Sequence, residues 1–132
     1  MKKKKYSVKI FVISDDVCRE RFKPESVLEK DLALCGVRAK CFSAKNLEGV
    51  TADENGEDWE LNTALLSTMI DTCDAVSVIG ATITPAMEKQ IMVAKELRKV
   101  ICVEETLRKK AKSIGLIFPQ LQLAEICKRI LA

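Results

Sequence analysis

The side chains that could do chemistry in this chain are carboxylates, hydroxyls, amines and thiols, because none of its 132 residues is a histidine. Without an imidazole, Ser-His-Asp and Cys-His nucleophile systems, histidine-ligated metals and a charge switch near neutral pH are excluded. Acid–base work would fall to carboxylates, lysine, cysteine or tyrosine. One adjacent pair of carboxylates, Asp15 and Asp16, directly follows an apolar segment.

The thiols are not spaced as metal ligands. No two of the six cysteines form a C-x-x-C motif, and most have apolar neighbours, where a reduced thiol behaves as a small hydrophobe. They are Cys18, Cys35, Cys41, Cys73, Cys102 and Cys127. We expect core thiols, no metal and no cofactor. With no apolar leader after Met1 and no run long enough to cross a bilayer, the sequence predicts a cytoplasmic protein with no membrane partner.

The lysine run at residues 2–5 accounts for the formal net charge of +3, and the rest of the chain is near neutral. We interpret residues 1–6 as a solvated basic tail. Aromatic residues make up only 5% of the chain, whereas a nucleic-acid surface combines a basic face with aromatics. The sequence therefore predicts no nucleic-acid partner.

Strand and helix patterns alternate along residues 7–132. Continuous apolar, β-branched segments predict strands at 7–14, 37–43, 74–80 and 100–104, with a short fifth strand at 113–118. Helical spacing and capping residues predict helices at 24–35, 59–72, 85–99 and 105–112, and a last helix that opens at Pro119. The alternation predicts a single α/β domain, a three-layer sandwich with a mainly parallel sheet of four or five strands, Rossmann- or flavodoxin-like.

Two local features belong to these predicted elements. Gly36 is placed to end the helix at 24–35 in a left-handed cap, and Thr84-Pro85 is typical of a helix start. In the helix at 59–72 the spacing favours a buried side, which consists of Leu61, Leu65, Thr68, Met69 and Thr72. The polar segment 44–58 is predicted to be a long loop, of the kind that binds ligands or is simply mobile.

An open parallel sheet binds ligands beyond the carboxyl ends of its strands. The residues delivered to this edge are Ser14, Asp15 and Asp16 after the first strand, Ser43 and Lys45 after the second, residues 80–82 after the third, and Glu104 and Glu105 after the fourth. The small-residue turn at 80–82 before a capped helix would let a ligand approach backbone amides. It lacks the Gly-Lys-Ser/Thr of a phosphate-binding loop, so topology alone leaves a binding role and a plain strand end open.

Three stretches carry a family resemblance: Asp58-Trp59-Glu60, Met69-Ile70-Asp71-Thr72-Cys73-Asp74-Ala75-Val76-Ser77-Val78-Ile79-Gly80, and the helix that runs from Thr84-Pro85 to Leu97. Together with the buried strand that follows, this pattern resembles the nucleoside 2-deoxyribosyltransferase-like superfamily, especially its small, often phage-encoded members. The resemblance covers residues 58–103. The N-terminal half matches only in its α/β layout.

The resemblance implies a nucleoside or nucleotide pocket in which a helix glutamate attacks the anomeric carbon of the sugar and forms a glycosyl-enzyme ester. That glutamate stands four residues before an alanine, and counting back from Ala94 gives Gln90, a neutral amide and a poor nucleophile. Ala86 replaces the usual glycine of the turn. Helical spacing places Gln90 on one inward stripe with Ala86, Val93 and Leu97.

The function we expect is therefore binding, in sensing or sequestration, of a nucleoside- or nucleotide-derived molecule by a non-catalytic domain. The expected ligand-binding residues are Ser14, Asp15, Gly80, Ala81, Thr82, Thr84, Met87 and Gln90. One alternative is an N-glycoside hydrolase or transferase with a relocated carboxylate, for which the candidates are Asp15, Asp16, Asp58 and Glu88. A second alternative is an oligomeric interaction module without a small ligand. The resemblance also implies a homo-oligomer.

Overall fold

The computed structural model describes residues 7–15, 23–44 and 58–132, and of residues 58–63 the backbone alone. Strands and helices follow one another in the order β1 (Val8–Ser14), α1 (Pro24–Leu34), β2 (Ala39–Ser43), α2 (Asp58–Asp71), β3 (Ala75–Ile79), α3 (Pro85–Glu96), β4 (Ile101–Val103), α4 (Glu105–Ser113) and α5 (Leu123–Leu131). The α/β class predicted from the sequence is confirmed.

The sheet is parallel throughout the described strands, in the order β2-β1-β3-β4. The central strand β1 is buried on both faces, which explains its nearly continuous apolar sequence. Phe11 and Ile13 pack in one cluster with residues of α2 and α3, whereas Ile10 and Val12 pack on the other face with residues of α1 and α5. The result is the predicted three-layer arrangement.

The predicted fifth strand at 113–118 is wrong. Its first residues end α4 in a Schellman motif, in which Gly115 has φ +87° and its N–H donates to the Lys112 carbonyl while the Leu116 N–H donates to the Ala111 carbonyl. Residues 116–122 have no regular structure, so the last helix begins at Leu123 and not at Pro119. Of the apolar side chains in this segment, Phe118 packs against the core, whereas Ile114 and Ile117 are exposed.

The same motif sets the end of α1, as predicted from Gly36. The Gly36 N–H donates to the Ala33 carbonyl, and the Val37 N–H donates to the Leu32 carbonyl. Gly36 has φ +81°, the left-handed conformation that glycine adopts without steric cost. The cap delays the following strand, which begins at Ala39 rather than at residue 37.

The buried side of α2 differs from the one predicted. Leu66 and Ile70 are fully buried, Met69 is partly buried, and Leu65 is 46% exposed. Thr68 and Thr72 are also exposed, and the Leu61 side chain lies outside the described residues. Because leucines are adjacent at 65 and 66, the helical spacing is compatible with two different buried sides of α2. Packing against α3 and the sheet selects the side that contains Leu66.

Not every described cysteine is a core residue. Cys73, Cys102 and Cys127 are buried, Cys41 is intermediate, and Cys35 is exposed at the end of α1. Cys35 therefore corrects the expectation of core thiols, because the Schellman motif turns the chain at this position towards solvent. Cys18 lies outside the described residues.

Candidate functional site

The strand order changes direction at β1: β2 lies on one side of β1, and β3 lies on the other. In an open α/β sheet this switch point is the favoured place for a ligand. Ser14 pairs with Ile79 in the parallel register, so the next residues, Asp15 and Gly80, leave the sheet side by side. Two of the residues predicted from sequence therefore meet at this edge.

Asp15 joins the ends of these two strands. Its side-chain Oδ2 accepts the Ala81 N–H at 2.8 Å and lies 3.5 Å from the Thr82 nitrogen, although Asp15 is only 4% exposed. A buried carboxylate needs such donors, since burial without a partner is costly. The Ala81 amide, one of the groups expected to hold a ligand, is thus engaged by the protein itself.

Gly80 is required by this arrangement. Its φ is +146°, and a Cβ at this position would overlap Asp15 Oδ2 and lie 3.1 Å from Asp15 Cγ. The glycine was predicted to permit the approach of a ligand. In the structure it permits the approach of the Asp15 side chain.

Lys110 is a participant that sequence reasoning missed. Its Nζ, on α4, donates to the Ala81 carbonyl oxygen. Asp15 and Lys110 therefore hold the N–H and the C=O of the same residue with opposite charges. The only available signal was the basic run at 108–110, which does not reveal a contact across 29 positions of sequence.

The start of α3 is fixed by a reciprocal cap. The Thr84 hydroxyl accepts the Met87 N–H at 3.2 Å, and the Thr84 N–H donates to the Met87 thioether sulfur at 3.5 Å. Thr84 and Pro85 thus act as the sequence predicted, with Met87 in the place that glutamate or glutamine usually takes. The Thr84 hydroxyl still carries a hydrogen that can be donated to a ligand.

The remaining candidates are divided between the core and the surface. Met87 is 1% exposed and Gln90 is 2% exposed, which confirms that residue 90 faces inward. Ala81 and Thr82 are exposed, and Glu88 is partly exposed on the first turn of α3. Asp58 begins α2, but its side chain lies outside the described residues, as does all of Asp16.

Cys41 and Cys102 do not supply a nucleophile in place of the glutamate that the family resemblance implies. Burial raises the pKa of Cys102 to about 11, and burial together with the negative charge of Glu29 raises the pKa of Cys41 to about 12. Both thiols are therefore neutral at physiological pH, whereas the thiolate is the reactive form. Within the described ranges, no three histidine, cysteine, aspartate or glutamate side chains converge as metal ligands.

Comparison with known proteins gives no family for this chain: no family model matches it, and no curated protein matches its sequence. Along the parts of the chain whose placement is described, no helix is both long enough and apolar enough to span a membrane.

Proposed function

We propose that the carboxyl edge between β1 and β3 binds a nucleoside- or nucleotide-derived small molecule without transforming it. The observation that carries the proposal is the position of Asp15, a buried carboxylate held by the Ala81 amide at the topological switch point. The resemblance of residues 58–103 to deoxyribosyltransferase-like proteins supports the choice of ligand class.

Each group at this edge has a role in the proposal. The Asp15 carboxylate fixes the turn at Ala81 and Thr82 by accepting their N–H groups, so in the proposal it positions this turn beside the ligand. Thr82 and Thr84 offer hydroxyl groups near the start of α3, where the helix dipole also favours an anion. The Lys110 ammonium, which reaches the Ala81 carbonyl from α4, supplies positive charge for a phosphate. A nucleotide therefore fits this edge better than an uncharged nucleoside.

The proposal excludes glycosyl transfer through residue 90. The Gln90 amide carries no negative charge, and the side chain is buried beneath α3. A nucleophile must reach the anomeric carbon, and an ionised carboxylate at that position would be needed to form the ester intermediate. Glycosyl transfer with Asp15 as the nucleophile in place of residue 90 is disfavoured because the Ala81 N–H already engages Asp15 Oδ2.

Thermal shift and isothermal titration calorimetry on the full chain, with a panel of nucleosides, nucleotides and NAD, test the proposal. A ligand at about 100 times its dissociation constant stabilises by about 2.7 kcal/mol, which is a shift of several degrees for a domain of this size. We expect Asp15→Asn to weaken binding about tenfold, the loss of one charged hydrogen bond. Asp31→Asn, an exposed position on α1, is the matched control.

Three results would overturn the proposal. One is a flat response across the whole panel by a folded protein, which would favour an interaction module. Another is equal affinity in the wild-type and Asp15→Asn proteins. The third is chromatographic detection of free base that disappears in Asp15→Asn or Glu88→Gln, because this would make the protein an N-glycosidase.

We place this binding function in the cytoplasm, which is supported by the free state of all five cysteines in the described ranges. The family resemblance also leads us to propose self-association. Sedimentation equilibrium on the full chain tests it, and a monomer at every concentration used would remove that part of the proposal.

A further inference from the structure

Two grooves adjoin on the outer surface of α3 and α4. One, of about 450 Å³, is formed by one side of α3 over residues 85–92 and by Leu116. The other, of about 290 Å³, is formed by one side of α4 over residues 105–112 and by Ile117 and Phe118. The short segment 116–118 lines both grooves and therefore separates them. We call this segment, together with the exposed sides of residues 85–92 and 105–112, the α3–α4 face.

Apolar side chains are exposed along the middle of the α3–α4 face. Ile117 is 76% exposed and Met92 is 50% exposed, and Leu116 is partly exposed beside them. These side chains are contiguous, because Leu116 shares a groove with Met92 and is the chain neighbour of Ile117. Scattered apolar side chains are normal on a protein surface, whereas a contiguous patch rimmed by polar residues indicates an interaction site.

The segment 116–118 is held in place at both ends. The Leu116 N–H donates to the Ala111 carbonyl in the Schellman motif that ends α4. Phe118 packs against the core, and the Lys95 Nζ lies 4.9 Å from the centroid of its ring. The apolar ridge is therefore formed before any partner arrives, so little conformational entropy is lost when it is covered.

Positive charge predominates around this ridge. Among the described residues that line the two grooves, the bases outnumber the acids: Lys89, Arg108, Lys109 and Lys112 stand against Glu88 and Glu105. Lys109 and Lys112 are exposed one turn apart on α4, in the groove that Ile117 also lines. A partner with acidic groups around apolar side chains complements this pattern. A second copy of the chain that docked through the same face would bring positive charge against positive charge.

We propose that the α3–α4 face docks an acidic amphipathic helix of another protein, with its apolar side chains in the two grooves and its carboxylates beside Lys109 and Lys112. A helix suits grooves that run along helices, whereas an extended peptide pairs with the exposed edge of a sheet. A lipid bilayer would contact Ile117 but leave the two concave grooves unfilled. The docking surface uses none of the groups that the nucleotide proposal assigns to its ligand.

NMR titration of the isotope-labelled full chain with two synthetic amphipathic helices tests the chemistry of the partner. Both helices carry leucine at three- and four-residue spacing, with glutamates beside the leucines in one and lysines in the other. We expect the acidic helix to bind at least tenfold more tightly than the basic one, by a margin that shrinks as salt is added. The shifted amides should lie on the α3–α4 face.

Equal affinity for the two helices, or no binding of the acidic one, would overturn the proposal. In the second case, sedimentation of the protein with phosphatidylcholine–phosphatidylglycerol vesicles would identify a lipid surface as the occupant. Concentration-dependent sedimentation without vesicles would identify a second copy of the chain.

Variants then test the place of docking. Ile117→Ser should weaken binding of the acidic helix at least tenfold, and Lys109→Glu should weaken it about fivefold. The matched controls are Leu34→Ser, at a position that is 88% exposed, and Lys30→Glu; both are on α1, across the sheet, and should leave the affinity unchanged. Wild-type affinity in a folded Ile117→Ser protein would contradict the assignment. Asp15→Asn should leave binding of the acidic helix intact, which separates this test from the nucleotide test.

Discussion

The Asp15 carboxylate occupies the space that any side chain at residue 80 would need. Gly80 has φ +146°, and a Cβ built there overlaps Asp15 Oδ2, the atom that accepts the Ala81 N–H. The first and third strands are therefore joined beyond the sheet by a carboxylate that fits only against glycine. The geometry of the candidate site depends on this pair.

We expect Gly80→Ala to lower the free energy of unfolding by about 2 to 4 kcal/mol, because it combines an unfavourable φ with the displacement of a buried carboxylate. Urea unfolding measures the loss. Gly36→Ala is the matched control, since Gly36 also has positive φ but a Cβ there meets nothing within 4 Å. It should cost only about 1 to 2 kcal/mol, the price of the left-handed backbone alone. Equal losses in the two variants would show that Asp15 does not restrict residue 80.

The Thr84 cap gives a prediction about α3. Removal of the acceptor for the Met87 N–H in Thr84→Ala should destabilise the protein by about 1 kcal/mol, whereas Thr84→Ser should retain most of the stability. The control is Thr68→Ala, the same change at an exposed position within α2. Alanine is the better helix former there, so the control should be neutral or slightly stabilising. A neutral Thr84→Ala would contradict the capping role.

Restoration of the carboxyl group that the family resemblance implies should be costly at neutral pH. Gln90→Glu places an acid at a position that is 2% exposed, and burial raises the pKa of such a group above the usual value of about 4.3. At a pH between the pKa of this glutamic acid in the unfolded chain and its raised pKa in the fold, the unfolded state has lost a proton that the folded state keeps. The free energy of unfolding of the variant should therefore fall as pH rises above about 4, with a deficit of roughly 2 to 4 kcal/mol at pH 7.

Urea unfolding of Gln90→Glu at acidic and neutral pH measures this dependence, after subtraction of the wild-type curve. Gln120→Glu, at an exposed position, is the control and should follow the wild-type curve closely. A variant that is equally stable relative to wild type at both pH values would show that residue 90 has access to solvent or to a positive charge.

The buried thiols predict a loss of stability in alkaline solution. A thiol in the unfolded chain has a pKa of 9.0, whereas the pKa of Cys102 in the fold is about 11, so the unfolded state ionises first. The free energy of unfolding should therefore fall as pH rises between about 9 and 11. Urea unfolding across this range measures the slope. Cys102→Ala should make the slope shallower, and Cys35→Ala, at an exposed position, should leave it unchanged; the reverse ranking would refute the assignment.

Local chemistry in the sequence determined the order of the elements, the Gly36 cap, the start of α3 at Thr84-Pro85 and the inward direction of Gln90. These features depend on residues within a few positions of one another, so periodicity and capping rules are sufficient to predict them. The parallel sheet followed because strands that alternate with helices must cross over to pair.

Contacts between distant residues were decided only by the tertiary structure. Asp15 and Ala81 are 66 positions apart, and Lys110 reaches Ala81 from 29 positions away, so no local pattern encodes either bond. The same holds for the side of α2 that is buried, because it depends on which surfaces the other elements present. The sequence predicted Asp15 and Gly80 as residues of this edge, but only packing decided that the Asp15 side chain fills the space that Gly80 leaves open.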